Sequence, residues 1–190
     1  PAAGDAGGAL GVALLVWHQL LGNERDVRKP DGQHGSLLGP RFTNEQVCKF
    51  LESQKATYRH FTDEAELCNY VADQIACEKV VGWMQGRAEF GPRALGCRSS
   101  LGDARSQQMQ SAMNVKIMFR ESFRPFAPAV LRECVCDYFQ FNDGQDSPYM
   151  LLVAPVAETR RVIDNSGPTV GLDKVNAIRS EIPAVTHVDH

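Results

Sequence analysis

Arg87, Arg93, Arg98, Arg105, Lys116, Arg120 and Arg124 fall between positions 86 and 128, where only three acids, Glu89, Asp103 and Glu121, accompany them. Seven bases against three acids put this segment near +4 in a chain of net charge −3, leaving about −7 for the rest. Segregation of that kind suggests a site for an anion. Six of the seven cations are arginine, whose planar fork binds phosphate or carboxylate through paired hydrogen bonds. Gly86, Gly91, Gly96 and Gly102 interrupt the first half of the segment. At Gly91 and Gly96 the backbone can approach a ligand closely, which simple ion pairing would not require. Pro92, Pro125 and Pro128 stiffen their loops, and Phe123, Arg124, Pro125 and Phe126 form a second rigid clamp. The segment holds no histidine and no serine with a base, and Cys97 has no activating partner nearby in sequence, which argues against a nucleophilic hydrolase. Phosphoryl or nucleotidyl transfer fits better, because it depends on positioning and on neutralising phosphate charge.

The neighbouring elements must position these cations. Thr43 with Gln46 forms a capping box, and Val47, Phe50 and Leu51 give the period of a short amphipathic helix ending near Ser53. Residues 57–61 alternate like a strand. Thr62 or Asp63 caps a longer helix bearing Leu67, Val71 and Ile75, and residues 80–84 read as a buried strand feeding the arginine loop. Residues 105–118 have helical character, with Met109, Met113 and Ile117 on one face. Lys116 and Arg120 would then be neighbours four apart, a like-charge pair disfavoured by about 0.2–0.5 kcal/mol unless an anion sits between them. Residues 129–132, 149–156 and 182–189 read as strands, with a short helix at 137–139 and turns at 142–147 and 165–168. His187 and Asp189 would share one face of the last strand. This order predicts an α/β (α+β) fold with the anion site beyond a strand end.

Two long runs carry a family resemblance. GRAEFGPRALGxRS at 86–99 and NxKIxFRExFRPFAPxVL at 114–131, together with Tyr138, Phe139, SPYM at 147–150 and IPAVTHVD at 182–189, resemble the carboxy-terminal domain of the O-carbamoyltransferases, the group that includes nodulation protein NodU. The resemblance implies a YrdC-like domain over residues 39–190, a twisted mixed sheet flanked by helices. Residues 1–38 would supply the terminal helix of a preceding actin-like ATPase-fold transferase domain, plus a linker. GDAGGALGVAL at 4–14 is similar to the adenosine-contacting end of that fold. Such a domain makes carbamoyladenylate from ATP and carbamoyl phosphate, releasing pyrophosphate, and the amino-terminal domain passes the carbamoyl group to a hydroxyl acceptor. Carried over by motif position, Arg87, Arg93 and Arg98 would hold phosphates, with Gly91 and Asn114 in the nucleotide site. Lys116, Arg120 and Arg124 would complete the cationic wall at the reacting α-phosphate, with Arg93 counted among the catalytic groups. Glu89 would steer an arginine or help to hold Mg²⁺. ATP carries roughly four negative charges and carbamoyl phosphate about two, a load that five or six convergent cations match. Cys97 stands where the family usually has asparagine, and Met118 where a further lysine is frequent. The metal site of the transferase domain lies outside this chain, so the resemblance implies no metal here.

Composition is that of an ordinary globular chain of one domain, 190 residues with 43% hydrophobic and 23% charged. The start at Pro1 and the end at His190 read as those of a fragment. The apolar run at 10–17, with Asp5 as its cap, is far too short for a bilayer span and reads as a packed helix. Residues 22–40 read as linker, with His34 solvated. Six cysteines without framework spacing read as reduced thiols in a cytoplasmic protein, and Cys134 with Cys136 lacks the four ligands of a zinc site. A nucleic-acid-binding module is the alternative from another class. Against it stand a pI near 6.0 and aromatics (Phe90, Phe119, Phe123, Phe126) set among prolines and apolar residues rather than on a stacking platform.

Overall fold

Glycine-rich and apolar, the first described stretch forms α1 (Gly8–Leu15), continued by a π-helical turn over Val16–Leu20. The computed structural model describes residues 7–27, 31–162, 171, 174 and 177–187. The sequence predicts a packed helix here, yet Leu10, Val12, Leu15, Trp17 and Leu20 are 47–76% exposed. Apolar side chains lie all round this helix, so no single stripe directs it onto a neighbour. The proposed Asp5 cap lies outside the described residues. No helix among the described residues is long and apolar enough to cross a membrane.

Local signals are obeyed where the hydrogen bonds they need close within a few residues. Thr43 Oγ1 accepts from the Gln46 N–H at 3.3 Å while Gln46 Oε1 accepts from the Thr43 N–H at 2.8 Å, and α2 (Asn44–Ser53) follows. Asp63 caps α3 (Glu64–Ala76) by accepting from the Ala65 N–H at 3.0 Å. Next come β1 (Val81–Met84) and β2 (Arg98–Leu101), which pair as the one two-stranded sheet among the described residues. β1 is half-buried rather than buried, with Met84 51% exposed. α4 (Met109–Ala112) runs into a π-helical turn over Met113–Ile117, and α5 (Val135–Tyr138) precedes the turn closed by Gln145 N–H to Asn142 O.

The expected α+β class is the one observed, but its extended segments mostly lack partners. Residues 57–61, 129–132 and 149–156 form no strand; Phe139 and Val156 make an isolated bridge, and Arg59 lies 4.3 Å over the Phe61 ring. The stretch from 182 forms a 3₁₀ turn over Pro183–Val185 instead of a strand. Pro183 has no N–H to give a ladder, and Thr186 Oγ1 bonds the Ile182 carbonyl at 2.9 Å. Asp189 and the turn expected at 165–168 lie outside the described residues.

The sequence also places Lys116 and Arg120 side by side on one helix, whereas the structure ends the helix at Ile117, before Arg120. The π turn, closed by Met118 N–H to Met113 O at 2.9 Å, widens the helix and leaves Ile117 45% exposed. Phe119 then takes a left-handed conformation with φ 50°, so Arg120 lies beyond the helix. Met109 and Met113 stay on the core face, 3% and 4% exposed, with Ala184 and the flanking Val80 and Phe126.

The chain divides into two compact units. The first comprises Pro1–Thr62, Gly82–Ser99 and Pro148–Leu151; the second comprises Asp63–Val81, Ser100–Ser147 and Leu152–His190.

Candidate active site

In the first unit, Glu89 is the centre around which the arginine loop is built. Its side chain is 1% exposed, and Oε1 accepts from the backbone N–H of Leu95 at 2.8 Å and of Cys97 at 2.6 Å. Oε2 lies 3.4 Å from Arg98 Nε, an ion pair rather than a hydrogen bond, and has no hydrogen-bond partner among the described residues. Arg98 also donates to the carbonyls of Gly91 and, at 3.3 Å, Arg93. Gly91 (φ 107°) and Gly96 (φ 114°) turn the loop in conformations that a side chain resists. Burial pushes the Glu89 carboxyl up, but the N–H groups of Cys97, Glu89 itself and Leu95, with Arg98, outweigh it and hold the group below its ordinary value of 4.5. Burial, with Glu89 nearby, pushes the Cys97 thiol up, which removes it further from service as a nucleophile.

Of the two roles expected for Glu89, the geometry favours steering an arginine. Mg²⁺ demands near-ideal octahedral oxygen coordination, whereas here one oxygen is taken by two N–H groups and Arg98 supplies the counter-charge at the other. The residues present do not fit that ion at Glu89. Arg93, exposed on the same loop, has no side-chain hydrogen bond or ion pair with any described residue, so its fork is available to a ligand.

Arg87 is tied to a stretch the sequence assigns to a linker. Its Nη1 donates to Gly39 O at 2.9 Å. Alongside, Gly39 N–H bonds Ala88 O at 2.9 Å, Ala88 N–H bonds Pro40 O at 3.0 Å, and Phe90 N–H bonds Ser36 O at 2.6 Å. Ser36 is wholly buried, and His34, Gly35 and Ser36 all have positive φ. The Tyr149 hydroxyl lies 2.6 and 2.8 Å from the Asp31 carboxylate oxygens and accepts from the Gly35 N–H at 3.1 Å. Sequence reasoning singled out none of Asp31, Ser36 and Gly39; the Gly39-Pro40 pair was the available signal. A Cβ on Gly39 would stand 2.7 Å from the Ala88 carbonyl oxygen and 3.2 Å from its carbon, backbone that cannot yield as a flexible side chain would. Gly39→Ala is therefore expected to cost about 1–3 kcal/mol, the range for overpacking. A urea titration checks it, and an unchanged midpoint would show that the pairing is slack.

The second unit holds Asn114, Lys116, Arg120 and Arg124. Asn114 is 0% exposed and its amide is engaged within the chain. Arg120 lies 4.7 Å over the Phe126 ring. Arg124 pairs with Glu121 at 3.9 Å, but both side chains are more than half exposed, so that contact is weak. Lys116 is exposed with no partner among the described residues. Arg105 is committed to Asp103, with Nε to Oδ1 at 2.9 Å and Nη2 to Oδ2 at 2.6 Å, and this pairing holds the Asp103 carboxyl below its ordinary value. A cavity of about 210 Å³ in this unit is lined by neutral amides and hydroxyls of Gln107, Gln108, Gln110, Ser111 and Ser122, with none of the cations named above. Thus Arg87, Glu89, Gly91, Arg93 and Arg98 fall in one unit, and Asn114, Lys116, Arg120 and Arg124 in the other.

Among proteins of known sequence, an uncharacterised Synechocystis protein is 56% identical over the full length of this chain, which spans 31% of that relative. Nodulation protein NolO of Bradyrhizobium diazoefficiens is 37% identical, again over the full chain and 31% of its own length. The 3'-hydroxymethylcephem-O-carbamoyltransferase of Streptomyces clavuligerus is 35% identical over 63% of this chain and 18% of its own. The chain therefore spans under a third of the length of these relatives. The family model described as "Carbamoyltransferase C-terminus" matches residues 72–190, which include β1, β2, the arginine loop from Arg87 to Arg98 and the Asn114 to Arg124 cluster. With that match over more than half its length, the chain belongs to the carbamoyltransferase C-terminus family.

Proposed function

We propose that this chain forms carbamoyladenylate from ATP and carbamoyl phosphate, for transfer to a hydroxyl acceptor by a preceding domain of the same polypeptide. In this reading residues 39–190 carry the adenylate chemistry on a YrdC-like scaffold, and residues 1–38 belong to the transferase domain and its linker. Support comes from the family, and from a relative whose name gives a hydroxymethyl group as the carbamoyl acceptor. One observation carries the assignment to phosphate chemistry: Glu89 and Arg98 brace a glycine-turned loop on which the Arg93 fork has no described partner.

The atoms balance with one water. Water splits carbamoyl phosphate into carbamate and inorganic phosphate, and a carbamate oxygen then attacks the α-phosphorus of ATP. The bond from that phosphorus to the bridging oxygen breaks, and its electron pair leaves with pyrophosphate. Negative charge grows on the α-phosphate oxygens and on the leaving pyrophosphate, where fixed guanidinium groups are most effective. In the first unit Arg93 meets this charge, with Arg87, Arg98 and Gly91 shaping the backbone around it; in the second, Lys116, Arg120 and Arg124 offer their cations to a phosphate group.

The test is carbamoyl-phosphate-dependent exchange of labelled pyrophosphate into ATP, by a protein of the relatives' full length carrying this chain. Exchange that appears only with carbamoyl phosphate supports the reading. Calorimetry with ATP, and with a short RNA at two salt concentrations, separates it from a nucleic-acid module. Steeply salt-dependent RNA binding without an ATP signal would replace the enzymatic reading.

A further inference from the structure

Asn114 is wholly buried, yet it touches the segment that carries two of the proposed catalytic arginines. Its Nδ2 donates to the carbonyls of Ser122 at 3.0 Å and Arg124 at 2.8 Å, and its Oδ1 accepts from Arg120 Nε at 2.5 Å. The Asn114 carbonyl accepts from the Arg120 N–H at 3.0 Å. Both amide hydrogens and one lone pair are thus in use, so the side chain has no donor left for a ligand. Left-handed Phe119, 88% exposed, turns the chain back so that Arg120 returns over Asn114. A bulky residue held in that conformation marks a backbone fixed by its surroundings. Arg120 is then restrained twice, along its Nε edge by Asn114 and across its face by the Phe126 ring at 4.7 Å. Its two Nη groups have no partner among the described residues.

We infer that Asn114 is a positioning residue, which fixes Arg120 so that the Nη edge of the guanidinium receives a phosphate group of the nucleotide or of pyrophosphate. The inference rests on the phosphate-binding part of the proposed function and not on the carbamoyl step. An unrestrained arginine would lose rotamer freedom on binding; one already seated by a buried amide and a ring loses less. Lysine could reproduce neither restraint, since it has no Nε edge and no plane to stack.

The experiment titrates this protein with pyrophosphate, as wild type, Asn114→Ala, Arg120→Ala and the double variant. In parallel, the exchange rate of the Arg120 Nε–H is followed by NMR. The Nε–H is expected to be protected in the wild type and to exchange about 10-fold faster in Asn114→Ala. Pyrophosphate affinity should fall about 10-fold in Asn114→Ala and at least as far in Arg120→Ala, with the double variant no weaker than Arg120→Ala. Additive losses, unchanged affinity in Asn114→Ala, or an unprotected Nε–H in the wild type would each overturn the inference. Should Asn114→Ala fail to fold, wild-type Nε–H protection and the affinity of Arg120→Lys decide it, retained affinity in that variant counting against the inference. A protein that shows the coupled loss but no carbamoyl-phosphate-dependent exchange would sink the proposed reaction and leave the Asn114 assignment standing.

Discussion

Replacing Arg93 with alanine is expected to cut carbamoyl-phosphate-dependent pyrophosphate exchange by about 10²–10³-fold in a protein of the relatives' full length, the usual loss for one fixed group facing transition-state charge. The expectation rests on a contrast within the loop. Arg98 is held by Glu89 and by the carbonyls of Gly91 and Arg93, and Arg87 is held by Gly39, whereas Arg93 has no described partner. A free guanidinium on a braced loop contributes little to the fold, so the alanine variant should unfold at the same urea concentration as the wild type. Arg93→Lys keeps the charge and loses the fork, and it should recover only part of the rate. Wild-type exchange in Arg93→Ala would remove Arg93 from the proposed mechanism.

The second large effect concerns stability. Glu89→Ala leaves the Leu95 and Cys97 N–H groups without their acceptor and Arg98 without its counter-charge. Hydrogen bonds to a charged group contribute about 1.5–3 kcal/mol each, and an unmatched buried donor adds to the loss. Arg98 is 37% exposed and can turn to water, which moderates the cost of the broken ion pair. A total near 3 kcal/mol is expected, read from the denaturant midpoint, and an unchanged midpoint would show that the loop is held by other contacts. The pH dependence has a definite sign. The Glu89 carboxyl titrates below its ordinary value of 4.5 in the folded chain, so its contribution is fully present above that pH and is lost as acid protonates the folded group. Glu89→Gln should flatten the acid side of the stability profile, and an unaltered profile would assign the acid sensitivity to other carboxylates such as Asp103.

The capping box at Thr43 and a cap at Thr62 or Asp63 were legible because donor and acceptor sit within three residues of each other, and the structure takes Asp63. The segment's charge was legible for a similar reason, since it follows from residue type alone. The expected strands at 57–61, 129–132 and 149–156 were not secure, because a strand is defined by the partner that completes its ladder and alternation does not name that partner. The helix expected over 105–118 starts only at Met109 and is α-helical only to Ala112. Its widening into a π turn and the left-handed Phe119 are invisible to a period of 3.6 residues.

Taken alone, the sequence determined what the arginine segment can offer: forked cations among glycines and prolines, no histidine beside them, and the two runs that resemble the carbamoyltransferase C-terminus family. Tertiary structure decided which of those cations are at liberty. Arg98, Arg105 and Arg120 are each held by a named partner, while Arg93 and Lys116 have none among the described residues. The physical reason is distance along the chain. Caps and composition are settled by near neighbours, whereas a guanidinium takes whichever carbonyl, carboxylate or amide the fold brings within about 3 Å, and for Arg87 that group is a glycine carbonyl 48 positions away.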